Sequence, residues 1–227
     1  MAAEGADWID IGAESSRPGA APVPADEELR RLLPVVTGVC AACPVAVSVD
    51  TVKASVARAA LAAGATWVND IWGLQGDPQM AAVVAEAGAH VVIMHNQHGT
   101  AYPDGVLAGI SRFFETSVRL ATQAGISRDR LVLDPGIGFG KTPAQNLTVL
   151  RSLGELKRYG LPVLLGASRK SVIGHVLGLP PAERLEGSLA TTVAAVAAGL
   201  DAVRVHDARA HVRAARVADA LYRISHG

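Results

Sequence analysis

One phrase recurs along the chain: a small residue, a glycine, then a short apolar run that ends in a polar residue. It reads "AEGADWIDIG", "AAGATWVND", "EAGAHVVIMH", "RYGLPVLLGAS" and "AAGLDAVRVHD", and two further runs, "CPVAVSVD" and "RLVLDPG", share the apolar stretch and its polar end. The apolar runs are four to six residues long and do not alternate with polar ones. That pattern predicts parallel strands buried on both faces. Helical patterns lie between them. "DEELRRLLPVV" opens on acids and places Leu29, Leu32, Leu33 and Val36 on one face. "GDPQMAAVVAEAG" offers Asp77 as N-cap, Pro78 at the first helical position and Gly88 at the end. "ISRFFETSVRLATQAG", "TPAQNLTVLRSLGELKRYG", "ERLEGSLATTVAAVAAG" and "AHVRAARVADALYRI" follow. A glycine after a helical stretch suits the left-handed C-cap.

Seven strand–helix units in strict alternation predict an α/β fold with a parallel sheet and helices outside it. A doubly wound sheet would carry a Gly-rich fingerprint after its first strand, and "DIGAESSRPG" has none. Polar residues instead close every strand: Asp10, Asp50, Asn69, His95, Asp134, Ser168 and His206. Functional residues spread over many strand ends indicate a (β/α)8 TIM barrel. The count is one strand short. "MAAEG" reads as the tail of a helix, so the expectation is a single barrel domain over residues 1–227 whose first strand and most of whose first helix are missing.

Composition narrows the function. The chain has 227 residues, half of them hydrophobic, with 21 Lys plus Arg against 21 Asp plus Glu, so no electrostatic pull toward nucleic acid or membrane is encoded. Acids at Glu4 and Asp7 stand where a secretory signal would be basic, and no run of 18 apolar residues suggests a span. Cys40 and Cys43 form "CAAC", but they follow a helical stretch and precede a strand. A reactive thiolate favours a helix N-terminus, so ordinary thiols are expected.

The strand ends carry candidate chemistry. "DPGIGFGKT" has Pro135 where a P-loop would need glycine, yet Gly136, Gly138 and Gly140 make a loop able to approach a ligand, with Asp134 at its root. A turn-capping role is the plain alternative for Asp134. Arg169 and Lys170 follow Gly166 and precede a helix whose free amides suit an anion. Arg204 and His206, two apart on the last strand, point the same way and suit a diphosphate. Asp50, Asn69 and Asp70 can together read a flat heterocycle with both donors and acceptors. His95 and His98 without a nearby carboxylate are weak metal ligands.

These motifs together, "DIGAESSRPGA", "SVDT", "VND", "MH", "LDPGIGFGKT", "GASRKSVIG", "ERLEGSLAT" and "VRVHD", run in family order over essentially the whole chain, which resembles the dihydropteroate synthases of the pterin-binding barrel family. The resemblance implies a transferase that joins 6-hydroxymethyl-7,8-dihydropterin diphosphate to 4-aminobenzoate and releases diphosphate. It implies that Asp50, Asn69, Asp134 and Lys170 hold the pterin, that Gly166 lines the site and that Ile71 and Met94 pack on the ring. It assigns the diphosphate to Arg204, His206 and Ser16, and the aminobenzoate to Arg17, Pro18, Phe139 and Ser171. Lys170, Arg204, His206 and Asp134 are then the expected catalytic set. The resemblance also implies Mg2+ on the diphosphate, ligated by an Asn of the first strand that these residues do not include. A homodimer in the cytoplasm is expected, with no nucleic-acid or membrane partner. "ESSRPG" departs from the family pattern by placing Ser16 where Thr is common. The alternatives are a non-catalytic pterin-binding paralogue and a methyltetrahydrofolate-binding methyltransferase domain.

Overall fold

The computed structural model describes residues 1–15 and 19–223. Seven strands alternate with helices: β1 (Trp8–Gly12), β2 (Ala46–Asp50), β3 (Trp67–Asp70), β4 (His90–Met94), β5 (Leu131–Asp134), β6 (Leu164–Leu165) and β7 (Ala202–Val203). The strands are parallel and pair in chain order from β1 to β5, and β6 pairs with β7. A parallel bridge between Leu133 and Val163 carries the curve from β5 to β6. The register sets Gly12 beside Asp50 and Asp50 beside Asn69, while Met94 lies beside Asp134. The polar ends expected from the sequence therefore face one mouth.

Two apolar layers make this a barrel. Inside it, Val92, Val132 and Leu164 form a buried cluster against Trp8, Trp67 and Ala202, so β1 and β7 contribute to the same interior. Trp8 stacks on Trp67 at 4.8 Å and Trp67 on His90 at 4.3 Å, at the start of the strands. Outside it, Val49, Val68, Val91, Ile93, Leu131 and Leu133 meet the helices through Leu32, Val56, Val84, Ile110, Phe114 and Val149. Strands buried on both faces explain the unalternating apolar runs. Among the described residues no strand covers the outer edge of β1 or of β7. The link between those two staves is made by side chains.

The helices are α1 (Ala25–Ala42), α2 (Ala54–Ala62), α3 (Met80–Ala87), α4 (Val106–Gln123), α5 (Pro143–Arg151), α6 (Ser171–Leu177), α7 (Leu185–Ala197) and α8 (Ala208–Tyr222). Three boundaries differ from the sequence expectation. Helix α1 runs on to Ala42, so Cys40 lies in its last turn and Cys43 is its C-cap; both thiols are free. The helix expected through Tyr159 stops at Arg151 and continues as a 3₁₀ stretch, Leu153–Tyr159, with Gly154 inside it. Helix α3 starts at Met80 rather than at Pro78; before it, Asp77 accepts the Gln79 amide at 2.9 Å on Oδ1 and, on Oδ2, the Ala54 amide at 2.8 Å. Asp77 thus supplies the side-chain cap that Lys53, the N-cap of α2, does not.

Candidate active site

The mouth is built on Asp10, which lies in the middle of β1 rather than at its end, and on residues that end or follow β2, β3, β5 and β7. Arg204, just past β7, donates from Nη1 to Asp10 Oδ2 at 2.9 Å and lies 3.6 Å from Asp50 Oδ2. Ser48 hydrogen-bonds the other oxygen of Asp10. Gly166 completes this wall. A Cβ there would sit 3.4 Å from both Asp134 Oδ2 and Arg204 Nε, so the glycine leaves Asp134 and Arg204 room to flank one space. Two buried atoms in the mouth have no partner, Asn69 Nδ2 and Asp134 Oδ2. One is a donor and the other an acceptor. Buried polar groups are nearly always satisfied, so such a pair indicates a ligand position.

Asp134 also holds the loop above it, its Oδ1 accepting the Gly136 amide at 2.7 Å. The turn-capping role thus occupies one oxygen and leaves the other unpartnered. Gly136 has φ of 67°, and a Cβ would lie 1.9 Å from the His95 carbonyl oxygen, so no other residue fits without rebuilding the loop. Lys141 pins the same loop from below. Its Nζ donates to Gly136 O at 2.9 Å and Phe139 O at 3.0 Å and lies 2.8 Å from His95 Nδ1. The loop in turn presents Phe139, which clusters with Ile71 and Met94 against Val52 and Trp72. Ile71, Met94 and Phe139, assigned to two different substrates on the sequence, form one apolar wall.

Lys170 reaches over that wall. Its Nζ lies 4.7 Å above the Phe139 ring centroid and donates to Ile137 O at 2.5 Å. His206 Nδ1 lies 3.1 Å from Ser168 Oγ. Ser171 opens α6 and is exposed. Ser16, Arg17 and Pro18 lie outside the described residues.

Charge in the mouth is strongly interdependent. Burial, then the neighbouring Asp10 carboxylate, push the Asp50 carboxyl up to about 7, with Arg204 opposing. Burial pushes the Lys170 ammonium down to about 8 against the pull of Asp134, with Arg204 pushing the same way as burial. Burial works to lower Arg204 as well, but Asp10, Asp50 and Asp134 overcome it and hold the guanidinium above its ordinary value. Burial and neighbouring charges thus draw both groups toward neutrality in one mouth, a pattern that clusters at functional sites.

Four sequence candidates make their contacts elsewhere in the protein. Asp70 accepts the Trp72 amide at 2.9 Å and the Leu74 amide at 2.7 Å, so its carboxylate is committed to the turn after β3. His95 is buried beside Lys141; burial, then that ammonium, lower it to about 3. His98 is exposed and stacks on Trp72 at 4.7 Å. Arg169 faces away from Lys170 and pairs with Asp207.

Sequence reading missed a second wall. Glu28 of α1 is fully buried, accepts Thr51 Oγ1 at 2.8 Å and pairs with Lys53 at 2.6 Å; Lys53 also pairs with Glu14. Glu14 accepts the Val23 amide at 3.1 Å. A cavity of about 720 Å³ runs along this side, from Glu14 and Asp50 past Ile71 and Phe139 to Trp72 and His98. The buried Glu28 was hidden in an acidic helix start, which ordinarily faces water. For magnesium, no group of three or more His, Cys, Asp or Glu comes together among the described residues. They do not fit a protein-built cage for the ion, and no step below passes through it.

Fold and mouth define the class: a parallel α/β barrel whose strand ends bring Asp50, Asn69, Asp134, Lys170 and Arg204 together in one mouth, the place where barrel enzymes carry their chemistry. The profile described as "Pterin binding enzyme" matches residues 1–206. The chain is 47% identical over 221 residues to the dihydropteroate synthase of Bacillus subtilis, covering 97% of this chain and 77% of that protein. A crystal structure of dihydropteroate synthase from Clostridium difficile, in the presence of pteroic acid, superposes with a TM-score of 0.97 at 50% identity, covering 99% of this chain and 85% of that one. The Xanthomonas albilineans dihydropteroate synthase with 4-aminobenzoic acid gives a TM-score of 0.94 at 43% identity, covering 98% and 82%. The chain belongs to the pterin-binding enzyme family and, within it, to the dihydropteroate synthases.

Proposed function

We propose that this chain joins 6-hydroxymethyl-7,8-dihydropterin diphosphate to 4-aminobenzoate, giving 7,8-dihydropteroate and diphosphate. The observation that carries this reading is the pair of unpartnered buried atoms, Asn69 Nδ2 and Asp134 Oδ2, in a mouth that also holds Arg204 and Lys170. A pterin edge presents acceptors to the amide and donors to the carboxylates of Asp134 and Asp50. Lys170, Ile71 and Met94 cover the ring, and Gly166 leaves it room.

In the reaction the aminobenzoate nitrogen forms a bond to the exocyclic carbon of the pterin, the bond from that carbon to the diphosphate oxygen breaks, and the amine proton leaves. Arg204 and His206, with Ser16, take the growing charge on the diphosphate, which is where fixed positive groups accelerate such a step most. Phe139, Ser171, Arg17 and Pro18 orient the amine, a modest nucleophile that gains more from placement than from activation.

The cytoplasmic location and the homodimer belong to the same proposal. No helix among the described residues is long and apolar enough to cross a membrane. Val176, Leu177, Val217, Leu221 and Tyr222 expose apolar surface on α6 and α8 for a second copy. The test is conversion of the two substrates to dihydropteroate, with calorimetry of the pterin diphosphate alongside. Product is expected. A folded protein that binds no pterin sinks the reading, and one that binds it without turnover is a non-catalytic paralogue.

A further inference from the structure

We propose that Arg169 and Asp207 are positioning residues whose ion pair fixes the loop presenting Lys170 against the loop presenting His206. This rests on the assignment of Lys170 to the pterin and His206 to the diphosphate. The need for such a device comes from the sheet. Strands β6 and β7 have two residues each and share only the pairings Leu164 with Ala202 and Leu165 with Val203. The Arg204 amide donating to Leu165 O at 2.9 Å is the last backbone rung between them. Lys170 and His206 lie beyond that rung, where no ladder sets their spacing.

The ion pair takes over there. Arg169 Nε donates to Asp207 Oδ2 at 2.9 Å and Nη2 to Oδ1 at 2.5 Å, a two-pronged contact that fixes angle as well as distance. Its two members flank the proposed working residues in sequence, Arg169 just before Lys170 and Asp207 just after His206. Next to it, Ser168 Oγ accepts the His206 amide at 3.3 Å.

The backbone confirms that this geometry is imposed. Arg169 has φ of 57°, a left-handed conformation uncommon for a non-glycine residue and kept only where the surroundings hold it. They do so here from both sides. Its amide donates to Ser188 Oγ at 2.9 Å, and its carbonyl accepts Arg184 Nη1 at 3.0 Å. Arg184 also reaches Lys170 O at 3.3 Å, and Ser188 Oγ donates to Arg184 O at 2.6 Å. The left-handed turn separates the two neighbouring cations. Lys170 is sent over Phe139 into the mouth and Arg169 outward to Asp207.

Both side chains are partly exposed, 33% for Arg169 and 26% for Asp207, so the pair contributes little to global stability and its loss should leave a folded protein. The experiment compares R169Q, D207N, the double variant and R169K by steady-state kinetics and by hydrogen exchange of the unliganded protein. Each single variant is expected to lower kcat about tenfold, with the KM for 4-aminobenzoate within about threefold and no further loss in the double variant. R169K should recover only part, because an ammonium keeps the charge without the fork. In either single variant, exchange should rise in both loops, residues 167–170 and 204–207, although only one is altered. Additive kinetic losses, an unchanged kcat, or exchange confined to the mutated loop would overturn the clamp. If the unmutated protein makes no dihydropteroate, the functional reading falls, and the exchange pattern still decides the clamp.

Discussion

Asp134 shows how one side chain divides its work. One oxygen holds the Gly136 amide and the other is buried without a partner. Asp134→Ala is expected to weaken pterin binding by about 2–3 kcal/mol, the scale for losing a charged hydrogen bond. Asp134→Asn, which keeps an acceptor for Gly136, should retain the loop and still lose much of the affinity. Unchanged pterin affinity of folded D134A in calorimetry would remove Asp134 from the site. A second residue-scale prediction concerns pH. His95, held down to about 3, stays neutral in the fold while the unfolded chain binds a proton below about 6.5. Its contribution is therefore present above 6.5 and is lost as pH falls from 6.5 toward 3, at a cost of order 3–5 kcal/mol. Asp50 and Asp70, raised to about 7 and about 6, act with the opposite sign over much of this window: the fold keeps protons that the unfolded chain has shed. The net slope of the wild type is thus no test, but its difference from His95→Gln is. Urea unfolding at pH 4.5 and pH 7 should show H95Q losing less stability on acidification, and parallel losses would refute the assignment. At this scale the sequence was readable where a residue ends a strand. Buried charges were not: Glu28, Lys53 and Lys141 look like solvated surface until distant partners such as Thr51, Glu14 and His95 are placed beside them.

Elements were easier to read than their ends. Apolar runs locate all seven strands; β2 to β6 are largely buried, while β1 and β7 are only partly buried and keep the pattern through the same short apolar run. The end of α5 differs because Gly154 interrupts what periodicity alone would continue, and nothing in the sequence signals that Asp77, besides holding the turn before α3, reaches across to the Ala54 amide of α2. The last strand shows why position on an element does not fix a role. On the sequence Arg204 and His206 sit two apart on the last strand, which suggests one shared task with the diphosphate; β7 in fact ends at Val203, and both lie beyond it. In the structure only Arg204 is wedged between Asp10 and Asp50. Arg204→Ala leaves those two carboxylates facing each other, pushes Asp50 further toward its neutral form and should weaken the bare pterin as well as its diphosphate. His206, whose Nδ1 lies 3.1 Å from Ser168 Oγ, is not in that wedge, and His206→Ala should weaken the diphosphate form about tenfold and the bare pterin little. Parallel calorimetry with the two ligands separates the residues. Equal losses in H206A would move His206 from the anion to the ring or the fold.

At the scale of the whole molecule, the sequence gives seven staves and the structure curves them through one interior, with Trp8 of β1 and Ala202 of β7 touching the same buried cluster. Across the remaining wall the two staves are joined by the ion pair from Arg204 to Asp10. Side chains can hold that distance, but they do not satisfy a strand's backbone. Among the described residues no strand pairs with the outer edge of β1 along "WIDI" or with that of β7 along "AV". An apolar edge of this kind is a template for another chain. A polypeptide of residues 1–227 prepared by itself is therefore expected to associate through these edges as its concentration rises, or to unfold over a broad urea range. The overlap of Trp8 and Trp67 offers the optical probe, because the pair straddles β1 and β3 and separates if β1 detaches. Sedimentation velocity over a concentration series, with urea unfolding followed by tryptophan emission, decides the matter. Concentration-dependent association, or loss of the stacked emission before the bulk transition, is the expected result. A monomer with one sharp transition would show instead that the Arg204–Asp10 pair and the shared interior suffice to hold the two staves, and that uncovered strand edges carry far less penalty here than a row of unpaired backbone groups implies.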